Sequence, residues 1–178
     1  MEFNVKPLLS RNIIISGKTD TGKTTLLKNL VSKIPDNAKI LVFEDVPELN
    51  LQKTYPNKNI ITIENKNTES IVKLIESNVL KFKPDYFILG ELKGNDMRTL
   101  LSWFETDVAD GCKLITTTWA NTSSIKDRLS NVFDTNNTMS SEKTNELVND
   151  KNNWANIFMN RYKTNDTECH VDEVQLSL

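Results

Sequence analysis

The eight residues Gly17-Lys18-Thr19-Asp20-Thr21-Gly22-Lys23-Thr24 hold the densest chemistry in this 178-residue chain. They fit the pattern GxxxxGK[ST], directly after a short apolar run and directly before a segment of helical periodicity. Glycines let the backbone fold so tightly that successive N–H groups converge on phosphate oxygens, at the positive end of the helix that follows. In such a loop Lys23 reaches the β- and γ-phosphates of a nucleoside triphosphate, and the Thr24 hydroxyl ligates Mg2+. Gly17, Thr19, Asp20, Thr21, Gly22, Lys23, Thr24 and Thr25 are the expected nucleotide contacts. The bland alternative is a chance glycine-rich turn, and the completeness of the motif in its setting argues against it. Asp20 is less usual in such a loop. Aspartate tolerates a left-handed backbone, but its carboxylate would lie near a triphosphate. Either Lys18 offsets the repulsion or the side chain points to solvent, and solvent is the preferred reading.

Hydrolysis of a triphosphate also needs a carboxylate to orient or deprotonate water, and another to hold Mg2+ through its water shell. Glu91 follows the run Tyr86-Phe87-Ile88-Leu89-Gly90, and Glu44 with Asp45 closes the run from Lys39 to Phe43. A single acid at a strand end is ordinarily a solvated loop residue. Two such ends in a chain with a phosphate loop make Glu91 and Glu44 expected functional acids, with Asp45 evenly balanced. Thr116-Thr117-Thr118-Trp119-Ala120-Asn121 closes a further run. It reads equally as a β-prone threonine run with a packing Trp, or as a segment in which Thr118 or Asn121 senses the γ-phosphate.

These residues need elements to position them. Asn12 to Ser16, Lys39 to Phe43, Ile60 to Ile63, Tyr86 to Leu89 and Lys113 to Thr118 are short apolar runs that read as buried strands. Between them, Thr24 to Lys33 carries Leu26, Leu27, Leu30 and Val31 at helical spacing and is ended by Pro35 and Asp36. Further helices are expected over Thr68 to Phe82, Asp96 to Phe104 and Ile125 to Phe133. Asp134 to Asn153 is polar and aperiodic, a loop or a weak helix. Trp154 to Tyr162 and His170 to Leu178 alternate apolar and polar residues around a turn, which predicts a terminal antiparallel hairpin. Strands alternating with helices imply an α/β fold, a mainly parallel sheet covered on both faces. Its polar strand ends, Glu44, Glu91 and Thr118, would gather at the edge where open α/β sheets bind ligands. A single domain over residues 1–178 is expected, with 1–11 as a lead-in and 154–178 as the hairpin.

Composition bounds the function classes. Twenty-four acids against 22 bases give a formal charge of -2, which argues against a nucleic-acid coat or a polybasic membrane anchor. No apolar run approaches the length needed to span a bilayer, and the N-terminus lacks a signal-peptide layout. Cys112 and Cys169 are far apart and outside any CxxC. A disulfide is conceivable, but reduced packing thiols in a cytoplasmic protein are the preferred reading. The single His170 cannot build a histidine-based metal site.

Taken in order, NIIISGKTDTGKTTLLKNLVSKIP (Asn12 to Pro35), FEDVPELNL (Phe43 to Leu51), LKFKPDYFILGELKG (Leu80 to Gly94) and ITTTWANTS (Ile115 to Ser123) resemble the Walker A, Asp box, Walker B and His box segments of the secretion-system ATPases. These are the RecA-like P-loop motors of type II and type IV secretion, conjugation and pilus assembly. The resemblance implies that Lys23 and Thr24 bind ATP and Mg2+, that Glu91 is the catalytic carboxylate and a Mg2+ ligand through water, and that Glu44 assists. It also implies a hexameric ring at the cytoplasmic face of a membrane, attached to secretion machinery without inserting into the bilayer. The chain departs from the family in several places. Trp119 stands where His is usual, Asp20 where Gly is usual, and Lys81, Lys83 and Lys93 where Arg is common, keeping charge but losing the bidentate fork. About eleven residues precede the first strand, so the family's N-terminal domain is not expected in this chain. An arginine finger would then come from Arg11, Arg98, Arg128, Arg161 or a partner subunit.

The leading expectation is an ATP-hydrolysing motor subunit. The alternative is a nucleotide-binding assembly or switch subunit with little turnover, which Asp20 and Trp119 favour. A small-molecule kinase would need an Arg-bearing lid and no acidic box. A nucleic-acid pump has little support from the acidic pI of about 5.5.

Overall fold

The computed structural model describes residues 6–64, 77–79, 81–93, 100, 111–119, 154–160 and 170–176. They form a 7-stranded sheet from β1 (Asn12–Gly17), β2 (Lys39–Glu44), β3 (Asn59–Glu64), β4 (Tyr86–Leu89), β5 (Lys113–Trp119), β6 (Trp154–Asn160) and β7 (His170–Leu176). The order across the sheet is β3-β2-β4-β5-β1-β6-β7. All neighbouring pairs run parallel except β6 and β7, which close the chain as an antiparallel hairpin. The expected α/β class, parallel sheet and terminal hairpin are all present. The strands run one residue further than expected at the ends of β1, β2, β3 and β5, and β3 also starts one residue earlier. A continuing ladder partner, not the residue's own polarity, decides where a strand stops.

All six residues of β1 are buried, as are the five that follow Lys39 in β2. Nearly unbroken apolar runs of this kind suit strands covered on both faces. The two faces separate by alternation. Ile13 and Ile15 pack in one cluster with Leu27, Leu30 and Val31 of α1 (Lys23–Lys33), while Ile14 lies on the other face. Each such fully buried aliphatic side chain contributes about 1.5–3 kcal/mol of burial. Helix α1 ends at Ile34, whose φ of -63° and ψ of 139° are extended. The ring of Pro35 disfavours a helical residue before it, and the Lys58 ammonium caps the Ile34 carbonyl at 2.5 Å while pairing with Asp36 at 2.8 Å.

The described residues also include a 3-10 turn over Lys6–Ser10 and one helical turn, α2 (Leu51–Thr54). Neither is anticipated by periodicity, since each is too short to show one. Of the helix expected over Thr68 to Phe82, residues 77–79 and 81–82 are described and are helical. The helix expected over Ile125 to Phe133 and the segment Asp134 to Asn153 lie outside the described residues. From Asp96 to Phe104 only Leu100 is described, and it is helical and buried.

Candidate nucleotide-binding site

Strand β1 delivers the chain into the loop at the centre of the sheet's carboxyl edge. Gly17 is the last residue of β1, at φ 157° and opposite Met159 of β6. A Cβ there would stand 2.4 Å from the Met159 carbonyl oxygen and 2.8 Å from Thr21 Oγ1, so only glycine lets strand and loop approach this closely. The loop then folds around one carbonyl. Lys18 O accepts from Thr21 Oγ1 at 2.9 Å and from the Lys23 ammonium at 2.6 Å. Asp20 at φ 61° and Gly22 at φ 86° both take the left-handed conformation. Asp20 is exposed.

Gly22 is also the N-cap of α1, and it supplies no side-chain cap; the first turn carries no acidic residue. The first intrahelical amide bond is Leu26 N to Gly22 O at 2.9 Å, so the Thr24 and Thr25 amides precede it at the positive end of the helix dipole. Thr19, Thr24 and Thr25 are exposed, whereas Thr21 is buried, its hydroxyl engaged inside the loop. Loop amides, a lysine ammonium and a helix N-terminus brought together within eight residues have the chemistry of a polyphosphate site.

Only β5 separates β1 from β4. At the ordinary spacing of strands, the ends of β1 and β4 are about 10 Å apart, and β2 lies one strand further at about 14 Å. Glu91, two residues beyond the end of β4, is exposed at the same edge of the sheet. The Thr24 hydroxyl and the Glu91 carboxylate offer hard oxygen donors only, a set that suits Mg2+.

Glu44 is placed differently. It ends β2 with 4% of its surface exposed, and its Oε1 accepts the Leu49 amide at 2.7 Å. Burial pushes its pKa up, the Leu49 hydrogen bond opposes this, and Glu48 adds a further upward push. In this structure the Glu44 carboxylate ties down the loop from Asp45 to Leu49. Asp45 is paired across the edge with Lys93 at 2.6 Å, both about half exposed. Thr118 is fully buried and donates to the Leu92 carbonyl at 3.0 Å. Trp119, 45% exposed, ends β5 directly opposite Gly17. Asn121 lies outside the described residues. Sequence reasoning missed the Thr117 hydroxyl, which donates to the Gly90 carbonyl at 2.7 Å, and the Lys93 partner of Asp45. The threonine run was the available signal for the first, but spacing cannot show which strand end a hydroxyl reaches.

With this geometry in place, the relatives can be set beside it. The family model of the type II/IV secretion system protein matches residues 8–131, from the lead-in of β1 past the end of β5. The chain belongs to this family. The type IV secretion system protein VirB11 of Bartonella quintana is 42% identical over 89 residues, covering 47% of this chain and 24% of that protein. The VirB11 ATPase from the Brucella suis type IV secretion system, solved in complex with sulphate, superposes with a TM-score of 0.75 at 26% identity, over 94% of this chain and 48% of that one. The Legionella pneumophila ATPase DotB shares the fold, with a TM-score of 0.61 at 17% identity over 89% of this chain and 44% of its own. The chain thus spans less than half the length of these relatives. Among the described residues no helix is long and apolar enough to cross a membrane.

Proposed function

We propose that this chain is an ATP-binding and ATP-hydrolysing motor subunit of a secretion, conjugation or pilus machine. The observation that carries the reading is the loop from Gly17 to Thr24, glycine-sealed against Met159 and opening onto the start of α1, with an exposed glutamate two strands away. Family membership and the sulphate-bound VirB11 neighbour support it.

On this reading the loop amides and the α1 N-terminus bind the β- and γ-phosphates, and the Lys23 ammonium moves from the Lys18 carbonyl onto them. Glu91 orients a water and accepts its proton as the water oxygen attacks the γ-phosphorus in line. The bond from that phosphorus to the β–γ bridging oxygen breaks, and ADP and phosphate leave. The Thr24 hydroxyl, and Glu91 through water, would hold Mg2+, which would supply charge neutralisation when bound. Fixed donors aimed at developing charge carry most of the acceleration. Glu44 assists by setting the loop beside the strand end, and Asn121 is the remaining candidate for sensing the γ-phosphate, since Thr118 is fully buried with its hydroxyl donated to the Leu92 carbonyl. The subunit works in a homo-oligomeric ring or beside a partner that supplies an arginine, in the cytoplasm, peripheral to the membrane-bound machinery.

ATP hydrolysis measured across a range of protein concentrations tests this. The expected result is a rate per subunit that climbs with concentration and is lost in Lys23→Ala and in Glu91→Gln, with ATP binding lost only in the first. Tight ATP binding with no turnover at any concentration would replace the motor with a nucleotide switch.

A further inference from the structure

The β4–β5 ladder keeps one register from Tyr86↔Lys113 to Leu89↔Thr116, then slips. Successive residues of a strand turn their N–H groups to opposite neighbours. The Gly90 amide points to β2, donating to Phe43 O at 3.0 Å, so Glu91 should point to β5 and Leu92 back to β2. Instead the Leu92 amide donates to Thr117 O of β5 at 2.7 Å. The strand end has gained one residue relative to β5, as at a bulge, and bulges re-aim side chains beside functional sites. The extra residue is Glu91, which is exposed while Leu92 is 1% exposed.

The slip also turns two carbonyls out of the ladder, and β5 meets both with side chains. Thr117 Oγ1 donates to Gly90 O at 2.7 Å, and Thr118 Oγ1 donates to Leu92 O at 3.0 Å. Consecutive strand residues face opposite sides of the sheet, so the two hydroxyls hold, from opposite faces, the carbonyls of the two residues that flank Glu91, Gly90 and Leu92. Threonine is suited to this because β-branching stiffens χ1. The same stretch of β5 pairs with β1 on its other edge, Thr117 with Ile15, Thr118 with Ser16 and Trp119 with Gly17. One strand end therefore ties the backbone of Glu91 to the backbone that enters the phosphate loop.

We propose that Thr117 and Thr118 are positioning residues that clamp the slipped main chain on either side of Glu91 and fix its carboxylate relative to the phosphate loop. The clamp's role in turnover rests on the proposed ATPase reading, whereas the clamp itself is a property of the backbone.

Two measurements on the full 178-residue chain separate these. Amide hydrogen exchange reads the clamp without substrate. In Thr118→Val the Leu92 amide should exchange about tenfold faster, the size expected for loss of one hydrogen bond, while Ile88 in β4 stays protected. Kinetics read the role: in Thr117→Val and Thr118→Val, kcat should fall about tenfold with the Kd for ATP within about twofold. Thr118→Ser, which restores the hydroxyl, should recover most of both. Unchanged Leu92 exchange overturns the clamp. A Kd that rises in step with the loss of kcat overturns it in favour of direct phosphate contact by Thr118. A wild-type chain that binds ATP without turnover sinks the hydrolytic reading alone, since exchange still decides the clamp. If Thr118→Val does not fold, Thr118→Ala and Thr117→Val carry the same comparisons.

Discussion

Replacing Gly17 by alanine is expected to cost both stability and nucleotide binding, for a reason confined to one carbonyl. The added Cβ would lie 2.4 Å from Met159 O and 2.8 Å from Thr21 Oγ1. The hydroxyl can rotate aside, but the carbonyl belongs to a ladder that pairs β1 with β6 from Asn12↔Trp154 to Gly17↔Met159. Relief requires moving one strand end by most of an ångström, which breaks the last one or two ladder bonds at about 0.5–1.5 kcal/mol each. Forcing alanine to φ 157° adds about 1–3 kcal/mol. The sum is about 1.5–6 kcal/mol, a fall in Tm of about 5–18 °C at about 3 °C per kcal/mol for a chain of this size. Thermal unfolding followed by circular dichroism measures it. Gly90→Ala is the control, since its nearest neighbour, Phe43 O, would be 3.7 Å away; it should shift Tm by no more than about 3 °C. If Gly17→Ala melts with the wild type, or with Gly90→Ala, the close approach of β6 to the loop is not what holds this turn.

Glu44→Gln keeps an acceptor for the Leu49 amide and removes the buried charge, so it should be neutral or stabilising at pH 7, whereas Glu44→Ala should cost about 1–3 kcal/mol; denaturant melts decide. Because burial raises the Glu44 pKa in the fold above its ordinary 4.5, the native state binds the proton more tightly, and this group's contribution to stability falls as pH rises from 4.5 through the raised value. Glu44→Gln should flatten that slope. Cys112 is buried, with its thiol pushed up to about 12, mainly by burial. In a Cys169→Ser background it should therefore react with a thiol reagent at least about a hundredfold more slowly folded than unfolded. The two lysine ion pairs should separate: Lys58→Ala strips the buried partner of Ile34 O and should cost about 1–3 kcal/mol, while Lys93→Ala, in a half-exposed pair, should change stability by less than about 1 kcal/mol.

The strands themselves, though not their order, were legible because the runs are short and apolar, and because the runs of β6 and β7 alternate where those of the inner strands do not. The phosphate loop was legible because its constraints are local: a strand, two glycines, a lysine and a helix start within a dozen residues. Other features were not. Glu44 and Glu91 look alike as acids at strand ends, yet one is buried on the Leu49 amide and the other exposed. The difference is made by the loop after β2 folding back, a contact without a periodic signature. Thr118 reads as a polar group free for a ligand, whereas its hydroxyl is engaged by Leu92 O, 26 residues away.

What the sequence by itself determined is therefore everything set by near neighbours and by polarity: the α/β class, the buried strands, the loop with its lysine, and the acids that end β2 and β4. Tertiary structure alone decided which strand ends stand side by side. The order β4-β5-β1 puts Glu91 one strand from the loop's own neighbour and lets consecutive threonines hold it. The physical reason is that strand order and register are settled by packing over the whole sheet. A one-residue slip reverses which way a side chain faces, and nothing in the local residues of β4 announces it.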